Sequence, residues 1–463
     1  MVEITINYSE DFMFDNHFKE ILDCLLDNTL SIFCGAGATA DATHSEWKHI
    51  FSQKTQTFLN NSYTDDLYLL ADLEKKYYNP ENFYNDIHDK IAIFNNCNSE
   101  HINSIVKLNL NQIWTTNFDE IIENTIYKIH NFHPTIIKDS NDILIKDINS
   151  KYIVYKVNGS ITDKNSMVLT KSDFYNYFKR QRVLFEILKR QLVINSFLFI
   201  GYSFKDDLIL NALREIKEVF PTQGKTHYRF VLKSDNIDKQ EYLKYEAQYY
   251  EDNYNIKTIY IDNFEEIDQY LNELYNKYCE RNILITGSYR NINNAHRIYI
   301  ENLIDKIVYQ LYKNNYNIFS GNGRGIGEIV HARTNKYSNI FPKSKLISRP
   351  LIFSGDSDIQ KEEKNRQIIK DCKVNIIICG QDDTLITSNN VIKQAKLFID
   401  NDNLVIPLPT TKYAAEEIFN SDFFKNSSFY KINKSNYELL KSDDISVVVK
   451  TVVNMILQIY KPI

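Results

Sequence analysis

Along this chain, short runs of β-branched and aromatic residues alternate with segments in which apolar residues recur every three or four positions. The run SIFC at 31–34 predicts a strand. NQIWTT at 111–116, YIVYKV at 152–157, SFLFI at 196–200, HYRFVL at 227–232 and KTIYI at 257–261 predict five more. Helical spacing follows several of them, through Ile121, Ile122 and Ile126, through Leu208, Leu210 and Leu213, and through FEEIDQYLNELYNKY. Such alternation predicts a parallel sheet covered on both faces by helices. Between Trp47 and Val106 the reading is several helices without strands, an insertion expected to cover the site. After Glu280 a second series begins: ILITG at 283–287, YNIFS at 316–320, KLISR at 345–349, VNIIIC at 374–379 and LVIPL at 404–408. We therefore expect two α/β domains, residues 1–280 and 281–463, with the junction near 279–282.

Composition sharpens this picture at a few points. The 463 residues suit two domains, and 43% hydrophobic residues are enough for two cores. A net charge of -6 does not indicate a broad basic surface, so no nucleic-acid partner is expected, while small anionic ligands need only local Lys or Arg. The N-terminus lacks a basic and apolar leader pattern, and FLFIG at 197–201 is strand-length. The expectation is a cytoplasmic chain without membrane contact. None of the six cysteines forms a CxxC pair, so neither a zinc ribbon nor a metal is expected. Of only 12 glycines, nine gather at Gly35 and Gly37, Gly159, Gly201, Gly287, and Gly321, Gly323, Gly325 and Gly327. Glycine this sparse marks places where backbone approaches a ligand or turns with positive φ.

Four of these places follow strands of the first series. Gly35-Ala36-Gly37-Ala38-Thr39 is a loop whose small residues would let N–H groups approach a pyrophosphate. Thr115-Thr116-Asn117-Phe118-Asp119, Val157-Asn158-Gly159 and Gly201-Tyr202-Ser203-Phe204 end three other strands. Ligands of open α/β sheets bind beyond the carboxyl ends of strands, so the four can converge on one crevice. Their order and spacing over roughly residues 15–280 resemble the sirtuin family, and the fold class that follows is two Rossmann-like domains, the first a sirtuin-like parallel sheet with a helical insertion. The resemblance implies NAD as substrate and cleavage of its nicotinamide–ribose bond. It gives Asn117 and Asp119 catalytic positions on the nicotinamide and ribose side. It gives Gly35, Ala36, Gly37, Thr39, Gly201 and Ser203 the binding of phosphate and ribose. Asp119 also reads as a helix N-terminal charge, Asp41 and His44 as loop polarity close to the substrate, and Asp206 and Asp207 as helix caps.

Two departures bear on activity. The missing zinc cysteines point away from protein deacylation, toward zinc-free relatives that hydrolyse NAD. The family's general base is a histidine, and Asn158 stands at that position; no histidine lies between His133 and His227. An amide can hydrogen-bond a ribose hydroxyl but cannot take its proton. Either the natural enzyme works this way or the chain is an inactivated variant that holds NAD, and we favour the second.

In the second series, Thr286-Gly287-Ser288 ends one strand, and Ser320-Gly321-Asn322-Gly323-Arg324-Gly325-Ile326-Gly327 ends the next and opens a helix. Alternate glycines there expose N–H groups beside a helix N-terminus, an anion cradle. This half resembles the SLOG superfamily of nucleotide-binding domains. After VNIIIC, Gly380-Gln381-Asp382-Asp383-Thr384 replaces the hydrolytic loop of related enzymes, so ligand binding is the better reading. Gly287, Ser288, Gly321, Gly323, Arg324, Gly325 and Arg349 are the expected ligand contacts, with Arg366 a weaker one. Sirtuin-like and SLOG domains in this order resemble the effector family of the Thoeris antiphage system. That resemblance implies activation by a cyclic ADP-ribose isomer, a TIR-domain protein as its producer, and a homotetramer.

Overall fold

The structure, a computed structural model, describes residues 17–43, 50–51, 53–60, 66–78, 82–205, 208–221, 224–321, 325–348, 357–382 and 387–459. The chain divides into two compact units, Met1–Tyr275 and Asn276–Ile463.

The first unit is built on seven strands: β1 (Leu30–Cys34), β2 (Gln112–Thr115), β3 (Thr135–Ile137), β4 (Ile153–Lys156), β5 (Ser196–Ile200), β6 (His227–Leu232) and β7 (Ile256–Ile261). Their order is β3-β4-β2-β1-β5-β6-β7, parallel throughout. Every residue of β1 and β5 is buried, as expected of strands with helices on both faces. Large apolar side chains set the register: Trp114 lies opposite Tyr155, and their rings stack 4.0 Å apart. The pattern of apolar runs misses β3, a three-residue edge strand of which only Ile137 is buried.

The stretch between Trp47 and Val106 is helical where described, with helices at Gln53–Asn60, Leu67–Leu73, Phe83–Ala92 and Glu100–Lys107 and a π-helical turn at Glu74–Tyr78. Phe51, Ala71, Phe83, Ile87 and Ile91 form one core with Phe118, Ile161 and Leu169. The insertion therefore packs on the loops that leave β2 and β4.

The second unit has five parallel strands, β8 (Asn282–Thr286), β9 (Asn317–Ser320), β10 (Leu346–Ser348), β11 (Val374–Ile377) and β12 (Leu404–Pro407), in the order β10-β9-β8-β11-β12. Its core joins Ile283 and Ile285 to Ile304, Val308 and Leu311 of the Asn294–Lys313 helix and to Val448 and Val452 of the Ile445–Ile459 helix. Among the described residues no helix is long and apolar enough to cross a membrane.

Candidate functional site

β4, β2, β1 and β5 are consecutive in the first sheet and all run the same way, so their four motifs emerge on one edge. Strand order reverses between β1 and β5, the place where open α/β sheets leave a crevice. The glycines there serve loop-to-loop contact. The Gly35 N–H donates to Ile200 O at 2.9 Å, Gly37 N–H to Gly201 O at 3.0 Å and Ala38 N–H to Gly35 O at 3.0 Å. A Cβ on Gly35 would lie 2.4 Å from Gly201 O, and one on Gly201, at φ +63, would lie 2.1 Å from Ala38 N. These three amides are engaged within the protein, so the loop is not the bare row of donors its sequence suggests. Ala36 is half-buried, Thr39 buried, and Gly37, Gly201 and Ser203 exposed.

Asn117 is buried and reaches across from β2 to the β1 loop: its Nδ2 donates to Thr39 Oγ1 at 3.2 Å. Its own N–H is held by Thr115 Oγ1 at 2.9 Å. One residue on, the Phe118 carbonyl accepts from the Ile161 N–H at 3.0 Å, which ties this loop to the turn after β4. Asn158 lies in that turn, buried, with its carbonyl accepting from Val168 N–H at 2.8 Å. Among the described residues its side-chain amide has no hydrogen-bonding partner, which leaves it available to a ligand. The next histidine along the chain, His227, begins β6 at the opposite edge. Burial holds its imidazole down to about 3, and its Nδ1 accepts from Phe197 N–H, so it supplies no base to the crevice. A cavity of about 290 Å³ near His227, Leu213, Phe220 and Tyr254 holds none of the four motifs.

Asp119 is buried, and its Oδ1 accepts from Ile121 N–H at 3.0 Å at the start of the Ile121–His130 helix. The helix-terminal role of its carboxylate is thus present in the geometry. Burial pushes this carboxyl above the ordinary carboxylate range, while the Lys156 ammonium pulls it back. Cys34, at the end of β1, is no nucleophile, because burial and the Asp119 charge push its thiol up. Asp41 is taken up by structure: its carboxylate accepts from Ser99 Oγ at 2.8 Å and from Glu100 N–H at 2.7 Å, which caps the Glu100–Lys107 helix. In the same helix His101 pairs with Asp268 at 2.8 Å. His44, Asp206 and Asp207 lie outside the described residues.

In the second unit the strand order reverses between β8 and β11. Gly287 has φ +150, and a Cβ there would sit 1.7 Å from Ile378 O, so the loops after these two strands touch through backbone. Gly380 and Gln381 N–H groups donate to Ser288 O, at 3.1 and 2.8 Å, and Ser288 Oγ donates to Gln381 O at 2.6 Å. The buried Gln381 Oε1 accepts from Arg290 and Asn291 N–H. Gly321 is buried at the end of β9, and Gly325, with φ +78, begins the Ile326–Ser338 helix against the Tyr289 ring. Arg366 is exposed on the Asp358–Asp371 helix. Gly323, Arg324, Arg349 and Asp383 to Thr384 fall outside the described residues.

Residues 111–259 match the SIR2-like domain family, and residues 266–463 match the Sir2- and TIR-associating SLOG family. The NAD(+) hydrolase ThsA of Enterococcus faecium is 27% identical over 92% of this chain and 94% of its own length. The NAD(+) hydrolase ThsA of Cytobacillus dafuensis is also 27% identical, over 92% of this chain and 90% of its own. The chain is a ThsA-like protein. The Bacillus subtilis protein named defense-associated sirtuin 2 is 22% identical over 50% of the ThsA-like chain and 24% of its own length. The SIR2-like match begins at Asn111, so the Gly35 loop joins the crevice of this ThsA-like protein on geometry rather than on the family match. Two residues at the same edge escaped sequence reasoning: Lys156, fully buried, and its partner Glu123 at 2.7 Å. The available signal was a lysine ending an otherwise apolar strand, since lysine is rarely buried unless paired.

Proposed function

We propose that this ThsA-like chain is a signal-gated NAD hydrolase of antiphage defence. In this reading the first crevice splits NAD and water into nicotinamide and ADP-ribose. The second unit binds a cyclic ADP-ribose isomer, made by a TIR-domain protein, and releases that activity. The observation that supports it most is the hydrogen bond from Asn117 on the β2 loop to Thr39 on the β1 loop, beside the switch point of the sheet, with Asn158 buried in the turn after the neighbouring β4. Asn117 orients the nicotinamide end, and the Asp119 charge stabilises the ribose as it becomes oxocarbenium-like. Gly35, Ala36, Gly37, Thr39, Gly201 and Ser203 take the phosphate and ribose side. Gly287, Ser288, Gly321, Gly325 and the residues outside the described set, Gly323, Arg324 and Arg349, take the signal. A tetramer belongs to the same reading.

Asn158 supplies no base, so turnover by the chain as written is expected to be slow. The test is nicotinamide release from NAD, with and without cyclic ADP-ribose isomers, in the parent and in Asn158→His. The histidine variant should be at least about tenfold faster with activator, within the range of general-base assistance, and should lose that gain at acidic pH as the imidazole protonates. Equal rates would mean that position 158 does not disable the enzyme. NAD binding without release in either protein would favour a second reading, a sensor that holds NAD without turnover, which the amide at 158 supports.

A further inference from the structure

Lys156 ends β4 with no exposed surface, and an ammonium there is costly unless it is paired. Its Nζ pairs with Glu123 Oε1 at 2.7 Å and donates to the Asp119 backbone carbonyl. Its backbone lies opposite Thr115 in the β2–β4 register, two residues before Asn158. Glu123 sits in the first turn of the Ile121–His130 helix, the helix whose first N–H is held by Asp119. One ammonium therefore joins the strand leading to Asn158, the loop of Asn117 and Asp119, and the helix after it. As a stabilising device the pair is poor: Glu123 Oε2 is buried without a hydrogen bond, and apolar replacements often serve a fold as well as a buried pair.

We propose that Lys156 and Glu123 are positioning residues of the first crevice: the pair holds the Asn117–Asp119 loop against the strand leading to Asn158 and supplies the buried countercharge beneath the Asp119 carboxylate. This rests on the hydrolase reading for its effect on turnover. The groups facing Asp119 come from three elements: Lys156 from β4, Glu123 from the following helix and the Cys34 thiol from β1. Lys156 favours the ionised carboxylate against the penalty of burial, and Glu123 opposes it.

Lys156→Met and Glu123→Gln break the same pair yet act on Asp119 with opposite sign. Infrared titration of the unliganded protein reads this directly, with the Asp119 carboxyl band assigned by its loss in Asp119→Asn. The band should titrate at higher pH in Lys156→Met and at lower pH in Glu123→Gln. Shifts of one sign, or none, overturn the proposal. The double variant Lys156→Met/Glu123→Met fills the same space with apolar chains and is expected to fold. Its kcat for nicotinamide release should fall on the order of 10²-fold, the scale of a misplaced reacting group, with KM changed less. Retained kcat in the folded double variant overturns the positioning role. If neither the parent nor Asn158→His releases nicotinamide while the infrared shifts oppose, the hydrolase reading falls and the hold on Asp119 stands.

Discussion

The two crevices sit at equivalent points of two parallel sheets, each where the strand order reverses, yet they are built from different parts of the polypeptide. In the first, buried side chains add to the backbone contacts of the glycine loops: Asn117 to Thr39, Lys156 to Glu123, Asp119 to the start of a helix. In the second, the links between the loops run mainly through backbone, with the Ser288 hydroxyl and the Gln381 amide added, from Ser288 to Gly380 and Gln381 and from Gln381 to Arg290 and Asn291. A site that must stabilise charge during bond cleavage needs particular side-chain atoms at fixed positions. A site that only recognises an anion can be made of N–H groups and of glycines that keep Cβ atoms out of the way. The difference separates what substitution should do to each.

The largest effect is expected at Asn117. Asn117→Ala should lower nicotinamide release by about 10²–10³-fold, the cost of one positioned donor, while stability falls by only about 1 kcal/mol. Kinetics beside thermal unfolding checks this, and unchanged turnover would remove the side-chain character claimed for the first crevice. Next come the backbone contacts. Gly201→Ala and Gly287→Ala each place a methyl within 2.1 Å and 1.7 Å of backbone atoms at positive φ, and each should cost at least about 2 kcal/mol in denaturant unfolding. Gly224→Ala, with nothing within 4 Å, should change stability by less than about 0.5 kcal/mol. If Gly287→Ala were as mild, the second crevice would not be a backbone construction.

A smaller effect depends on pH. The hydrogen bond to Asp268 raises His101 above its ordinary value of 6.5. A raised folded-state value means that the stabilisation is fully present below the unfolded value and is lost as pH rises through the folded one. His101→Ala should therefore cost about 1.5 kcal/mol near pH 6 and much less near pH 9. A penalty that grew with pH would contradict the pairing. The smallest effect is expected from Arg366→Ala, an exposed helix position, which should change signal-ligand affinity by less than about 0.5 kcal/mol in calorimetry.

Eleven of the strands were legible because parallel strands read as apolar runs, and β3 was not: of its three residues, Thr135–Ile137, only Ile137 is buried. The four motifs of the first crevice were legible as strand ends. What their glycines pack against was not: a Cβ on Gly35 or Gly201 would meet the other loop's backbone. Asp41 reads in the sequence as exposed loop polarity and instead caps a helix that begins 59 residues later.

By itself the sequence determined the alternation of strand and helix, the two-fold repetition of that pattern and the residues at each strand end, because these depend on local period and local turn chemistry. Only the tertiary structure decided which strand ends are neighbours and which polar groups meet. Lys156 and Glu123 stand 33 positions apart, and Asn117 and Thr39 stand 78 apart. Parallel strands side by side need a long crossover between them, so the atoms that share a site are separated in the chain by whole helices.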